Sequence, residues 1–194
     1  MSSQDLPIVR LKIERKSTHP WIFQKMVEKP ETKPRPGSIV DIVDATNHWV
    51  ARGFYNGHSR IALRVLTEDF DEAVDEAYFS RKIAEAVALR RAVLKLDSVS
   101  DAWRVVHSEG DGISGLVVDR YGDLVVVEFF SAGAFRYREW IYAALRGRHM
   151  GCIGRVPIPD KSLYSDDASD LPGPKVHLEA MRAKKKKTEL LVTD

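Results

Sequence analysis

Apolar and charged residues alternate from Pro7 to Lys16: Val9, Leu11 and Ile13 fall on one side, Arg10, Lys12 and Glu14 on the other. A period of two is that of a half-buried strand, here with a mostly basic outer face. His19-Pro20-Trp21-Ile22-Phe23 follows; proline suits a first helical position, so the pattern predicts a short helix there. Pro30 to Gly37 holds three prolines and reads as a loop. Ser38–Asp44 is a dense apolar strand, Ala45–His48 turns the chain, and Trp49–Tyr55 returns as the next strand. Asn56-Gly57 is a strong turn signal, after which Ile61, Leu63 and Val65 alternate with Ala62 and Arg64. Short strands separated by turns predict a small β-barrel over about 1–68.

The character changes at Thr67. Four acids, Glu68, Asp69, Asp71 and Glu72, precede a helix predicted from about Ala73 to Leu94. Phe79, Ile83, Ala86 and Val87 make its apolar stripe. Three strands follow, Trp103–Ser108, Leu116–Arg120 and Leu124–Phe130, and a last helix covers about Phe135 to Leu145, with Tyr137, Ile141, Ala144 and Leu145 on one side. This is an α+β unit spanning 69–146. From Gly147 the periodicity decays, and 147–194 reads as an irregular, poorly ordered tail carrying the run Lys184–Lys187.

Composition changes the picture in three ways. No apolar run among the 194 residues is long enough to span a bilayer, and the N-terminus lacks a signal pattern, so no membrane role is expected. One cysteine, Cys152, excludes an internal disulfide framework and points to a reducing cytoplasm. The net charge of +2 conceals an asymmetry: residues 1–66 hold 11 Lys/Arg against 6 Asp/Glu, whereas 67–146 hold 10 against 15. A polyanion is therefore expected on the first third.

The chemistry-bearing motifs are few. Glu109-Gly-Asp-Gly-Ile-Ser-Gly115 lacks the spacing of a dinucleotide fingerprint and the Gly-Lys-Ser/Thr of a phosphate loop, and it leads into a strand. It reads as a tight inter-strand loop whose glycines supply positive φ. Asp111, Asp119 and Asp123 show no ligand spacing, the six histidines form no i, i+4 pair, and Cys152 has neither a thiol partner nor a base. No metal site and no catalytic residue is expected. Cations interleaved with aromatics carry the strongest signal: Arg10, Lys12, Lys16, Arg52 and Arg60 to neutralise phosphates, Trp21, Trp49 and Tyr55 to stack on bases or to pack inside.

The chain resembles a known family in an ordered set of motifs over about residues 8–146. They are His19-Pro-Trp-Ile-Phe23, Ile39-Val-Asp-Ile-Val-Asp44, Trp49-Val-Ala-Arg-Gly-Phe-Tyr-Asn56, Ser59-Arg-Ile-Ala-Leu-Arg-Val-Leu66, Phe79-Ser-Arg-Lys-Ile83, Glu109 to Asp123, and Ser131-Ala-Gly133. They are similar to the bacterial large-subunit ribosomal RNA methyltransferases that make 5-methylcytosine. The resemblance implies an N-terminal PUA domain, a pseudo-barrel that binds RNA, then a small α+β domain. A Rossmann-like domain that binds S-adenosylmethionine and carries the catalytic cysteine would follow. The pattern departs from the family after about Leu145, and Gly151-Cys-Ile-Gly154 does not match its catalytic motif, so no cofactor-binding residue is carried over.

The expectation is an RNA-binding module, truncated by a premature stop or a frameshift near Arg146, inactive alone and binding no cofactor itself. Its RNA, expected to be ribosomal, would meet Arg10, Lys12, Lys16, His19, Trp21, Arg52, Gly53, Tyr55, Asn56 and Arg60. Two alternatives stay open: a methyltransferase subunit completed by a separate catalytic chain, and a non-functional remnant whose uncovered apolar face drives dimerisation or aggregation.

Overall fold

The computed structural model describes residues 6–15, 17–148 and the backbone of a strand at 152–155. Lys16, Lys184–Lys187 and most of the expected tail lie outside the described residues. Strands β1 (Ile8–Arg10), β2 (Trp21–Phe23), β3 (Ile39–Val43), β4 (Trp49–Tyr55) and β5 (Ile61–Thr67) form one sheet in the order β1-β3-β4-β5-β2. The sheet curls until its edges meet. The Lys12 amide donates to the Met26 carbonyl and the Glu28 amide to the Arg10 carbonyl, both at 2.9 Å. Inside lie Val9, Leu11, Ile22, Val27, Val40, Ile42, Ala51, Tyr55, Ala62 and Leu63. Burying this apolar set is the main term that closes the barrel.

The second unit begins with helix α1 (Glu76–Ala88), capped by Asp75, whose carboxylate accepts from the Tyr78 amide at 2.9 Å. The helix starts three residues later than the acidic run suggests, because Asp75 supplies the acceptor for an otherwise unpartnered amide. It passes into a π-helical turn at Leu89–Val93 and ends at Lys95, which adopts a left-handed conformation. Strands β6 (Ala102–His107), β7 (Leu116–Tyr121) and β8 (Leu124–Phe129) form an antiparallel meander. Helices α2 (Ala132–Arg136) and α3 (Arg138–Arg146) come next. The expected final helix is thus two, broken at Tyr137. The fold class is α+β, as the periodicities predict.

Two strands also differ from the sequence pattern. Trp21–Phe23 is a strand, not a helix start: it pairs antiparallel with β5, Trp21 opposite Arg64, and the Pro20 carbonyl accepts from the Val65 amide at 2.8 Å. Trp-Ile-Phe favours strand geometry once a partner edge is present, and that edge arrives from some forty residues away. Second, Cys152–Arg155 forms β9, parallel to β8, with Leu124 opposite Cys152. Four residues are too few to show a period, so the pattern assigns this segment to the tail.

Barrel and α+β unit share a core. Ile39, Phe54 and Leu66 from the barrel pack with Phe79 and Ile83 of α1, the apolar sides of β6 to β8, and Ile141 and Leu145 of α3. The ring of Phe54 stacks with Phe79 at 6.3 Å and with Tyr137 at 6.0 Å between centroids. Strands β4 and β5 are therefore buried on both faces.

Candidate nucleic-acid interface

The glycine-rich loop is built as expected and does an unexpected job. Ser108–Asp111 forms a single 3-10 turn, and Gly112 and Gly115 take φ of 74° and 81°. From this turn Glu109 reaches back to the barrel. Its Oε1 accepts from Trp21 Nε1 at 2.6 Å, from Ser114 Oγ at 2.6 Å and from Arg64 Nη1 at 3.1 Å. The Arg64 guanidinium lies over the Trp21 ring, 5.3 Å from its centroid. Burial pushes the Glu109 carboxyl up, but hydrogen bonds from Ser108, Ser114 and Trp21 outweigh it and hold the group at about 2. The group is a charged clamp between the two units.

Two further carboxylates of this region are likewise partnered. Asp111 grips Arg90 and accepts from the His107 amide; Asp119 pairs with Arg104, Nε to Oδ1 at 2.9 Å. Among the described residues no group of three or more His, Cys, Asp and Glu side chains is placed to hold a metal ion.

The structure divides nine of the ten residues expected to meet RNA into three sets; the tenth, Lys16, lies outside the described residues. Arg52, Gly53, Tyr55 and Asn56 are turned to the interior. The Arg52 guanidinium donates to Asp41 at 2.8 Å and to the Glu72 carbonyl at 2.6 Å, with 12% of its side chain exposed. The neighbouring Trp49 is tied to the same carboxylate, its Nε1 donating to Asp41 at 3.0 Å. A Cβ at Gly53 would lie 2.2 Å from the Arg64 carbonyl oxygen, so this glycine serves the close approach of β4 and β5. Tyr55 packs in the barrel, where burial raises its hydroxyl above the ordinary value, and Asn56 is buried at the turn, its Oδ1 accepting from the His58 amide at 3.1 Å. Trp21 and His19 form the second set: Trp21 is committed to Glu109, and His19, exposed, meets it edge-on at 5.4 Å.

The third set lies along the seam where the barrel closes. Arg10 and Lys12 run beside the Gln24–Met26 turn through the backbone bonds given above, and the Gln24 amide donates to the Arg60 carbonyl at 2.9 Å. Lys12, Lys25 and Arg60 are exposed, and none has a carboxylate partner among the described residues. Arg10 is half-exposed and holds Glu28 loosely, at 3.7 Å. Lys25 and the neighbouring Phe23 escape sequence reasoning because the helix predicted at Pro20 puts them on no particular face. A strand at Trp21–Phe23 is the signal that finds them.

The glycine loop is filled: a Cβ at Gly115 would lie 2.5 Å from Ser131. A crevice lined by Phe54, Asn56, Ser59, Arg64 and Ser131 encloses ≈ 10 Å³, room for about one water molecule. No helix among the described residues is long and apolar enough to cross a membrane.

Comparison with known proteins accords with this architecture. Residues 13–68 match the PUA-like domain family. Over 134 residues, 69% of the chain, the sequence is 40% identical to ribosomal RNA large subunit methyltransferase I of Klebsiella pneumoniae and covers 33% of that protein. The proteins of the same name from Tolumonas auensis and Shigella dysenteriae are 39% and 37% identical over 134 residues, again 69% of the chain, with 34% and 33% of their lengths covered. The fold is shared with SMU.776, described as a methyltransferase complexed with SAH: TM-score 0.64, 14% identity, 77% of this chain and 39% of that one. A protein described as a SAM-dependent methyltransferase from Streptococcus mutans gives a TM-score of 0.62 at 13% identity, covering 77% of this chain and 40% of the other. The chain spans about a third of the length of the curated relatives it matches. The PUA-like match over residues 13–68 and the 134-residue match together make this chain similar, over most of its length, to about a third of the length of the bacterial ribosomal RNA large subunit methyltransferases.

Proposed function

We propose that this chain is the RNA-holding portion of an S-adenosylmethionine-dependent methyltransferase acting on large-subunit ribosomal RNA, with the 5-position of cytosine the target that the family resemblance implies. The observation that carries this reading is the seam: Lys12, Lys25 and Arg60, exposed and without carboxylate partners among the described residues, on a PUA-like domain. Cations so placed release counterions from a phosphate backbone, which makes binding strong at low salt and weak at high salt. Arg10 extends the same surface; Arg52, Gly53, Tyr55 and Asn56 act behind it by holding the barrel in shape.

The α+β unit holds the barrel at a fixed orientation through Glu109, Trp21 and Arg64. In this reading the methyl donor is bound outside the described residues, and the clamp sets the direction from which RNA enters. Exposed Val93, Leu94 and Val99, at 68%, 53% and 77%, support a surface that a catalytic portion covers, whether on the same or another chain. Calorimetry of this chain with S-adenosylmethionine should then give no heat.

The test is a salt titration of binding to fragments of large-subunit ribosomal RNA. The full chain should bind with a log–log slope of several units, and the double variant K12E/R60E should lower that slope by about 0.7–0.9 for each phosphate it no longer neutralises. A wild-type slope near zero would remove the reading.

A further inference from the structure

We propose that Phe23 is a stacking platform for an unpaired base, so that the seam takes RNA with a single-stranded segment rather than a continuous duplex. The proposal rests on the RNA-binding reading above and specifies its ligand. Phe23 ends β2, an edge strand whose neighbour on one side is β5. Ile22 enters the barrel, and alternation turns Phe23 outward, 39% exposed. Among the described residues its ring meets no other ring and no cation.

An exposed phenylalanine alone means little. What surrounds this one decides. Its cross-strand partner is Ile61, next to Arg60, and Lys25 stands two positions further along the chain. The Gln24 side chain donates to the Gly57 carbonyl at 2.9 Å and pins the Gln24–Met26 turn to the β4–β5 turn. A partly exposed aromatic ring thus shares its stretch of the seam with two exposed cations, Lys25 along the chain and Arg60 next to its cross-strand partner, the residue types that hold a single strand by its phosphates while a base lies on the ring. Phe70 provides the contrast: it is 62% exposed, but it meets Trp49 at 5.3 Å and sits among Glu68, Asp69 and Asp71. Acids there repel a phosphate backbone.

The experiment measures anisotropy of fluorescein-labelled oligouridylate and of a labelled RNA duplex with the full chain, F23L, F23W and K12E/R60E. F23L keeps the apolar bulk and removes the π-face. It should weaken oligouridylate binding at least about fivefold and leave duplex binding unchanged, while F23W should bind like wild type with its added indole emission quenched. F23L binding both ligands like wild type, or losing both equally, overturns the stacking role. If K12E/R60E still weakens binding in that case, the RNA-holding reading survives without it. If wild type binds neither RNA, both fall. Should F23L fail to fold, F23W decides alone: an unquenched indole overturns the proposal.

Discussion

Glu109, at the head of the glycine-rich loop, receives Trp21, Arg64 and Ser114 together. Its folded pKa of about 2 lies below the ordinary 4.5, so the stabilisation it contributes is complete above about pH 4.5 and lost as pH falls toward 2. The shift corresponds to at most ~3 kcal/mol. Urea midpoints measured from pH 5 to 2.5 should fall more steeply for wild type than for E109Q, in which this carboxylate no longer titrates. Equal slopes would mean that Glu109 is not the clamp. Gly133 is decided by space. A Cβ there would lie 2.0 Å from the Phe54 ring, inside the shared core. G133A should cost about 1–3 kcal/mol by forcing Phe54 aside, read as a lower thermal midpoint.

At the scale of elements, strong periodicity was legible and the short strands β2 and β9, which show no period of their own, were not. The stripe Phe79, Ile83, Ala86 and Val87 is buried as its spacing predicts, because a helix satisfies its own backbone and needs only an apolar neighbour. F79A should destabilise the chain by about 3–5 kcal/mol in denaturant titration, since the ring stands between Phe54, Tyr78, Tyr137 and Trp140. The first strand is shorter than its alternation: Val9 and Leu11 are buried, but Ile13 is 42% exposed where the chain leaves the sheet. In β5 the alternation fails, with Ala62 and Leu63 both buried. A bulge between Arg52 and Gly53 on the paired strand and a second core behind the sheet remove the simple inside–outside rule.

On the scale of the whole molecule, the two units melt as one if the shared core is what joins them. Scanning calorimetry should show a single transition for wild type, and F54A, which deletes the barrel's ring from the stack with Phe79 and Tyr137, should lower and split it. A single unshifted transition in F54A would place the coupling in the Glu109 clamp alone. Charge asymmetry, turn signals, the α1 stripe and the β6–β8 meander belong to the chain itself, since each arises from residues close in sequence whose preferences are satisfied locally. So does the ordered motif set that carries the family resemblance. Which cations face solvent was settled only in three dimensions. Arg52 and Arg60 are alike in the sequence, yet folding brings Asp41 and the Glu72 carbonyl to the first and leaves the second open on the seam. A strand register and a curled sheet bring distant partners within hydrogen-bonding range, and the availability of a charged or aromatic side chain depends on which partners arrive.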